Sequence, residues 1–224
     1  MDDETRAPEG RCAITGLQHV PTHDLLSDGT SIRIRQAGPD DREAVRRLYE
    51  GMSPEHLRLR FFSNCDGSAR QATDRVTQPG RPGSFALVAE HAGVIVGLAE
   101  YEPTARSCAA EIALTVADAW QRRGIGTLLL EHLSDAARMA GISVFTAKTL
   151  AENHGMRKVF TNLGPRVRWR LDGPQAYYKV DLYENEDCLS AVGIRTASSA
   201  PCDRCEIQIA SAAPEPLPRA NARR

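Results

Sequence analysis

Between Thr115 and Leu133 the chain reads TVADAWQRRGIGTLLLEHL, an apolar lead-in, a basic turn with two glycines, and a leucine-rich run. The eight residues before the turn, Ala109 to Val116, have the composition of a strand. After it, Ile125, Leu128, Leu129, His132, Leu133 and Ala136 fall on one stripe of a helix that Gly141 ends. A further strand follows at Ile142–Leu150. Strand, turn, helix and strand in that order make a parallel crossover, and ligands of such units collect at the C-terminal end of the first strand. Gly124 and Gly126 carry no side chains, so the main-chain N–H groups of residues 122–127 can converge on one anion at the positive end of the helix dipole. A pyrophosphate suits that cradle. The nucleoside triphosphate loop is excluded because no G-x-x-x-x-G-K-[ST] is present, and Leu129 stands where a dinucleotide fingerprint needs its third glycine. Coenzyme A also carries a pyrophosphate.

The flanking segments supply the rest of a sheet. TSIRIRQA alternates like a half-buried strand, and PDDREAVRRLYEG reads as a helix capped by Asp40, with Glu43 completing a capping box. Ser53-Pro54 opens a second helix. SFALVAEHAGVIVGLAEY reads as a hairpin turning at His91-Ala92-Gly93. Asn153 caps a helix with Met156, Val159, Phe160 and Leu163 inward, stopped by Gly164-Pro165, and RVRWRL and AYYKVDLY close the unit as a hairpin. The expected class is α/β (α+β), a mixed, mostly antiparallel sheet of about seven strands flanked by about four helices. The expected organisation is a poorly ordered segment 1–29, a folded domain 30–183 and a disordered tail 184–224 rich in Ser, Ala and Pro.

Charge and cysteines narrow the function classes. Twenty-eight basic residues against 29 acidic ones leave a formal net charge of -1, which offers no overall attraction to nucleic acid or an anionic membrane. The start MDDETRAPEG is acidic where a secretory signal needs a basic end, so a cytoplasmic location is expected. Cys12, Cys65, Cys108 and Cys188 sit alone; Cys202 and Cys205 have the spacing of half a zinc site without its second half, and no metal is expected.

The run Gln121-Arg122-Arg123-Gly124-Ile125-Gly126 resembles the Q/R-x-x-G-x-G/A motif of the GNAT superfamily of acyl-CoA-dependent N-acetyltransferases, and the element order from Thr30 to about Leu182 is similar to that fold. DGTSIRIRQAGPDDREAVRRLYEGMSPEHLRLRFF and AEIALTVADAWQRRGIGTLLLEHL resemble the acetyltransferase domain of bacterial Pat-type protein lysine acetyltransferases. That group usually fuses the domain to a synthetase-like or cyclic-nucleotide-binding region, and this sequence contains neither. The resemblance implies acetyl-CoA as co-substrate, with main-chain groups of Leu114, Thr115 and Val116 on the pantetheine arm. It implies amides of Arg122, Arg123, Gly124, Ile125, Gly126 and Thr127 on the pyrophosphate, and Asn153 reaching the cofactor. Phe160 stands where the family places a tyrosine acid, so the thiolate is expected to leave without it.

An attacking lysine, with a pKa of about 10.4, needs a base. Glu111 shares one face of its strand with Ala113 and Thr115; partly desolvated there, it would be suited to take the proton, and it matches the base of Pat-like enzymes. Glu100 is the second candidate, with an edge-strand carboxylate as its plainer reading. Cys108 has no histidine beside it in sequence and is read as a strand-start thiol. Trp120 reads as a packing anchor, Asp118 as a turn former, His132 as part of the inner stripe, and the arginines of RIR and RVRWR as solvated. HLRLRFF borders an acceptor groove or is a helix with Leu57 and Phe61 inward. The expected acceptor is a protein lysine; a small amine, or an acyl-CoA sensor without turnover, is the alternative.

Overall fold

The computed structural model describes residues 19–62, 66–78, 81–105, 108–163 and 166–183. The expectations for the CxxC tail and for the Gly164-Pro165 stop lie outside these residues. Among the described residues eight strands form one sheet: β1 (Thr22–Leu25), β2 (Ser31–Gln36), β3 (Phe85–His91), β4 (Val94–Pro103), β5 (Ala109–Val116), β6 (Val144–Leu150), β7 (Val167–Asp172) and β8 (Gln175–Asp181). Their order is β1-β2-β3-β4-β5-β6-β8-β7, and only the β5–β6 pair is parallel. Five helices flank the sheet among the described residues: α1 (Arg42–Glu50), α2 (Pro54–Phe61), α3 (Asp66–Thr77), α4 (Ile125–Met139) and α5 (His154–Thr161).

Both faces of the central strands are covered, so β3 and β4 read as unbroken apolar runs rather than alternating ones. One face packs Ile125, Leu129, Leu130 and Leu133 of α4 and Phe160 of α5 against Ala110, Ile112, Phe145 and Tyr178. The other packs Val45, Leu48 and Tyr49 of α1 and Ala72 and Val76 of α3 against Ala86, Val88 and Leu98.

Two elements add to the pattern legible in sequence. β1 lies inside the segment 1–29; it pairs with β2 from Thr22↔Ile34 to Leu25↔Ser31 and is tied to α4 where Asp24 Oδ2 meets His132 Nε2 at 3.1 Å. α3 carries so thin an apolar stripe, Ala69, Ala72 and Val76, that its period is lost among polar residues. The start of α1 also differs. A 3₁₀ turn over Pro39–Asp41 precedes it, so Asp41 rather than Asp40 is the N-cap position of α1, and its side chain caps the 3₁₀ turn instead, Oδ2 accepting from the Gly38 amide at 2.8 Å. Burial pushes the Asp41 carboxyl up, but hydrogen bonds from Arg35 and Gly38 outweigh it and hold it below its ordinary range. Arg35 is therefore not a solvated strand arginine: it clamps Asp41 at 2.7 Å and Glu90 at 3.0 Å.

The β3–β4 hairpin turns through Ala92 and Gly93 alone, both at positive φ (48° and 80°), the primed geometry that matches the strand twist. A bulge at Ala89/Glu90 follows, and beside it Gly97 faces α4. A Cβ at Gly97 would lie 3.0 Å from both Ile125 Cγ2 and Leu129 Cδ1. The missing side chain lets the first turn of α4 sit directly on the sheet. That contact fixes where the glycine turn points.

Candidate functional site

Strands β5 and β6 pair only at Ala109↔Val144, Ala110↔Phe145 and Glu111↔Thr146, and then part. β5 stays with β4 as far as Val116↔Gly97, while β6 stays with β8 as far as Leu150↔Gln175. α5 holds the two arms apart: Phe160 stacks on Tyr178 of β8 at 4.4 Å, and Val159 Cγ2 lies where a Cβ on Gly126 would approach to 3.2 Å. A cleft of about 650 Å³ opens along the gap. Glu111 and the residues expected to hold acetyl-CoA, from Leu114 to Arg122, Thr127 and Asn153, line it together, whereas Glu100, Cys108 and Phe160 do not.

Main-chain polarity in the gap follows from two bonds. Ala117 donates its N–H to Val96 O at 2.9 Å, and Ala109 O accepts from Thr104 N–H at 3.0 Å, so odd-numbered residues of β5 turn their peptide groups to β4. Alternation then turns those of Leu114 and Val116 into the gap, where β6 no longer pairs with them. Thr115 departs from the expectation that it offers main-chain groups to a ligand; they belong to the β4 ladder. Its side chain is buried on the opposite face, the hydroxyl accepting from Arg60 Nε at 3.1 Å. Gln121 Nε2 donates to Val116 O at 3.2 Å and bridges strand and turn.

The turn itself has an anion-binding form. Arg122 (φ 61°) and Gly124 (φ 98°) are both left-handed, and no side chain caps α4, so the first-turn amides of Ile125, Gly126 and Thr127 remain without a capping acceptor. Positive φ at a non-glycine residue costs energy, and Arg122 is held there by its surroundings. The two arginines part company. Arg122 is exposed, whereas Arg123 is bound by Asp28 Oδ2 at 2.6 Å and Thr30 Oγ1 at 2.7 Å and lies over the Trp120 ring at 4.3 Å. Hydrogen bonds from the Thr30 hydroxyl and amide, with Arg123 adding to them, hold the Asp28 carboxyl down at about 2. Arg123 therefore fixes the turn to the β1–β2 connection, and Trp120 is packed between it and His91.

Asp118 is more than a turn former. It accepts from the Ser53 amide at 3.0 Å, and its other oxygen meets His56 Nδ1 at 2.8 Å, which ties the start of α2 to the turn. Burial raises its carboxyl, but the Ser53 hydroxyl and amide and then His56 bring it below the ordinary range. Ser53 caps α2 as its sequence suggests, accepting from His56 N. Asn153 caps α5, Oδ1 accepting from the Met156 amide at 3.0 Å, which leaves its NH₂ group to the cleft it lines. Phe160, at 1% exposure, is a core residue.

The two carboxylates differ sharply. Glu111 is exposed at the cleft, with no ion pair among the described residues, so the chain by itself does not supply the desolvation expected for it. Glu100 is not at an edge: β4 lies between β3 and β5, and the residue is 4% exposed. Arg75 reaches it at 2.6 and 3.1 Å and Arg60 at 2.8 Å, so both its oxygens are occupied. Arg75 continues to Glu102 at 2.7 Å, which Arg81 also binds at 2.8 Å. Leu57 and Phe61 of α2 pack inward as expected, but Arg60 between them does too, a role that no spacing in HLRLRFF signals. No group of three or more metal-ligating side chains occurs among the described residues, and no helix there is long and apolar enough to cross a membrane.

Comparison with known proteins agrees with this geometry. The profile of the Acetyltransferase (GNAT) family matches residues 44–164, more than half of the chain. An acetyltransferase of Pseudomonas aeruginosa is 29% identical over 145 residues, 63% of this chain and 78% of that one. Acetyltransferase Pat of Mycolicibacterium smegmatis is 44% identical over 55 residues, 25% of this chain but only 16% of the relative's length. Among solved structures, the GNAT domain of S. lividans PAT superposes with a TM-score of 0.65 at 29% identity, covering 72% of this chain and 96% of that one.

Proposed function

Because the chain belongs to the GNAT acetyltransferase family, with acetyl-CoA as co-substrate, we propose that its acceptor is a protein lysine ε-amine and that Glu111 is the base. The observation that carries this reading is the parting of β5 from β6 immediately after Glu111, with the glycine turn at the far end of the same strand. Acetyl-CoA then lies along the gap as an added strand, its pantetheine arm against the peptide groups of Leu114 and Val116. The amides of Arg122 to Thr127 receive the pyrophosphate, and the NH₂ of Asn153 donates to the arm.

The thioester thus comes to rest near Glu111. The incoming lysine must lose a proton before it can attack, since an ammonium with pKa about 10.4 has no free lone pair. Glu111 takes that proton directly or through water, and docking of an acceptor supplies the enclosure that the free chain lacks. Attack on the carbonyl carbon is direct, in a ternary complex, and the Leu114 amide is placed to stabilise the oxyanion. Phe160 stands buried where the family has its tyrosine acid, and a thiolate of pKa about 8.5 leaves without one. Exposure of Glu111 supports a protein acceptor, because a mouth open to solvent admits a lysine on a folded surface. The resemblance to Pat proteins supports it too.

The test is incubation with labelled acetyl-CoA and a cell extract. Label in protein, lost with Glu111→Gln while calorimetry still detects acetyl-CoA binding, is the expected result. Label confined to small molecules refutes the protein acceptor; undiminished turnover by Glu111→Gln refutes the base.

A further inference from the structure

The chain has only three lysines among its 28 basic residues, Lys148, Lys158 and Lys179; Lys148 on β6 and Lys158 on α5 both line the cleft, and Lys148 is the one on the strand that pairs with Glu111. Lys148 is on β6, two residues beyond Thr146, the Cα partner of Glu111. Alternation places Lys148 on the same sheet face as Glu111, the face of α2, about 7 Å further along the strand at ~3.3 Å per residue. That is the level at which β5 has parted from β6 and offers Leu114 to the gap. Lys148 is exposed and has no ion pair among the described residues, whereas Lys179 is held by Asp181 at 3.6 Å.

What Lys148 does touch is aromatic. Its Nζ lies 5.4 Å from the centre of the Phe62 ring and 5.7 Å from that of Tyr177, its neighbour across β8. Phe62 ends α2 in the left-handed region at φ 62°, a conformation that bulky residues rarely adopt. That strained residue brings a wall of the mouth against Lys148. Such cation–π contacts orient the lysine stem without fixing the ammonium as a carboxylate would.

We propose that Lys148 is an acetyl acceptor of the enzyme itself, modified in cis from the acetyl-CoA bound in the same cleft; this rests on the acetyl-transfer reading given above. The Lys148 ammonium yields a proton to Glu111, and the freed nitrogen lone pair attacks the thioester carbonyl carbon. A C–N bond forms, the nitrogen's second proton is lost to water, and the C–S bond breaks with its electron pair leaving on sulfur. The products are Nε-acetyl-lysine at position 148 and coenzyme A, whose thiolate takes a proton from solvent.

The experiment uses the full chain with isotopically labelled acetyl-CoA and peptide-resolved mass spectrometry over time, beside a peptide carrying a single lysine as external acceptor. Holding amine, base and thioester together gives an effective concentration that solution chemistry lacks; Lys148 shares the sheet face of Glu111 whereas Lys158 lines the cleft from α5, so Lys148 is expected to label at least about tenfold faster than Lys158 or Lys179. Glu111→Gln is expected to slow Lys148 to the rate of the other two, and diluting the enzyme with acetyl-CoA still saturating is expected to leave the half-time unchanged. In Lys148→Arg, checked for folding by thermal melting and for acetyl-CoA binding by calorimetry, labelling is expected to fall to that of the two remaining lysines. Equal labelling of all three lysines marks uncatalysed chemistry and overturns the proposal. A half-time that lengthens on dilution overturns the cis geometry. If the external peptide is acetylated while Lys148 stays unmodified, the inference fails and the protein-lysine reading stands; if neither is acetylated, both fail.

Discussion

Replacing Glu100 by glutamine asks whether the buried carboxylate is a clamp or a base. The side chain accepts three guanidinium hydrogen bonds, from Arg60 at 2.8 Å and from Arg75 at 2.6 and 3.1 Å, in a site where the residue is 4% exposed. Glutamine keeps one acceptor oxygen and turns an NH₂ group toward the other guanidinium donor, so donor meets donor and two arginines lose their shared counter-charge. Removing one partner of a buried pair costs roughly 3–5 kcal/mol. The lower end applies, because Arg75 keeps Glu102 at 2.7 Å and Arg60 keeps the Thr115 hydroxyl at 3.1 Å. A loss of about 3 kcal/mol in urea unfolding at pH 7 is expected, which for a domain of this size corresponds to a melting temperature lower by roughly 6–12 °C. Turnover per folded molecule, assayed well below the new midpoint, should fall only as far as the shifted Arg60 disturbs Thr115 and β5. A stability change under about 0.5 kcal/mol with turnover down about a hundredfold would refute the reasoning and make Glu100 the base instead.

Three more outcomes are expected. Gly97→Ala puts a methyl 3.0 Å from Ile125 Cγ2 and Leu129 Cδ1, and overpacking of that kind costs about 1–3 kcal/mol; because the first turn of α4 must move, the KM for acetyl-CoA should rise more than kcat falls, as steady-state kinetics will read. Asp28 has its carboxyl lowered from an ordinary 3.8 to about 2, so its contribution is complete above pH ~4 and is lost as pH falls through about 2; the stability difference between wild type and Asp28→Asn, followed by denaturation across that window, should shrink with acid. Burial raises the Tyr101 phenol from 10 to about 12, so the unfolded chain sheds its proton first and stability should fall as pH climbs from 10 toward 12; Tyr101→Phe should flatten that limb in alkaline melts, leaving the share contributed by Tyr49, which burial also raises.

Local signals were legible because each arises within a few residues. Ser53 and Asn153 cap their helices and the leucine stripe buries against the sheet, all from patterns of neighbouring positions. By the same route the turn at Gln121–Gly126 and the strand before it were enough to mark the cleft. The Asp40 cap failed for a reason of the same scale: a 3₁₀ turn of three residues moves the helix start, and Arg35 from the neighbouring strand recruits Asp41.

What the sequence could not hold is whatever depends on strands brought together from afar. Whether Glu100 sat at an edge or in the centre was a matter of sheet order, which puts β3 and β5 on its two sides and two helical arginines over it. The parting of β5 and β6 leaves no mark in either strand, since it is a difference between partners, as is the division of labour between the exposed Arg122 and the tethered Arg123. Short-range order therefore determined the glycine turn, and only the tertiary pairing decided which carboxylate faces the cleft and which lysine stands opposite it. Capping and periodicity act through contacts three or four residues apart, whereas burial and charge pairing are set by neighbours tens of residues away in the chain.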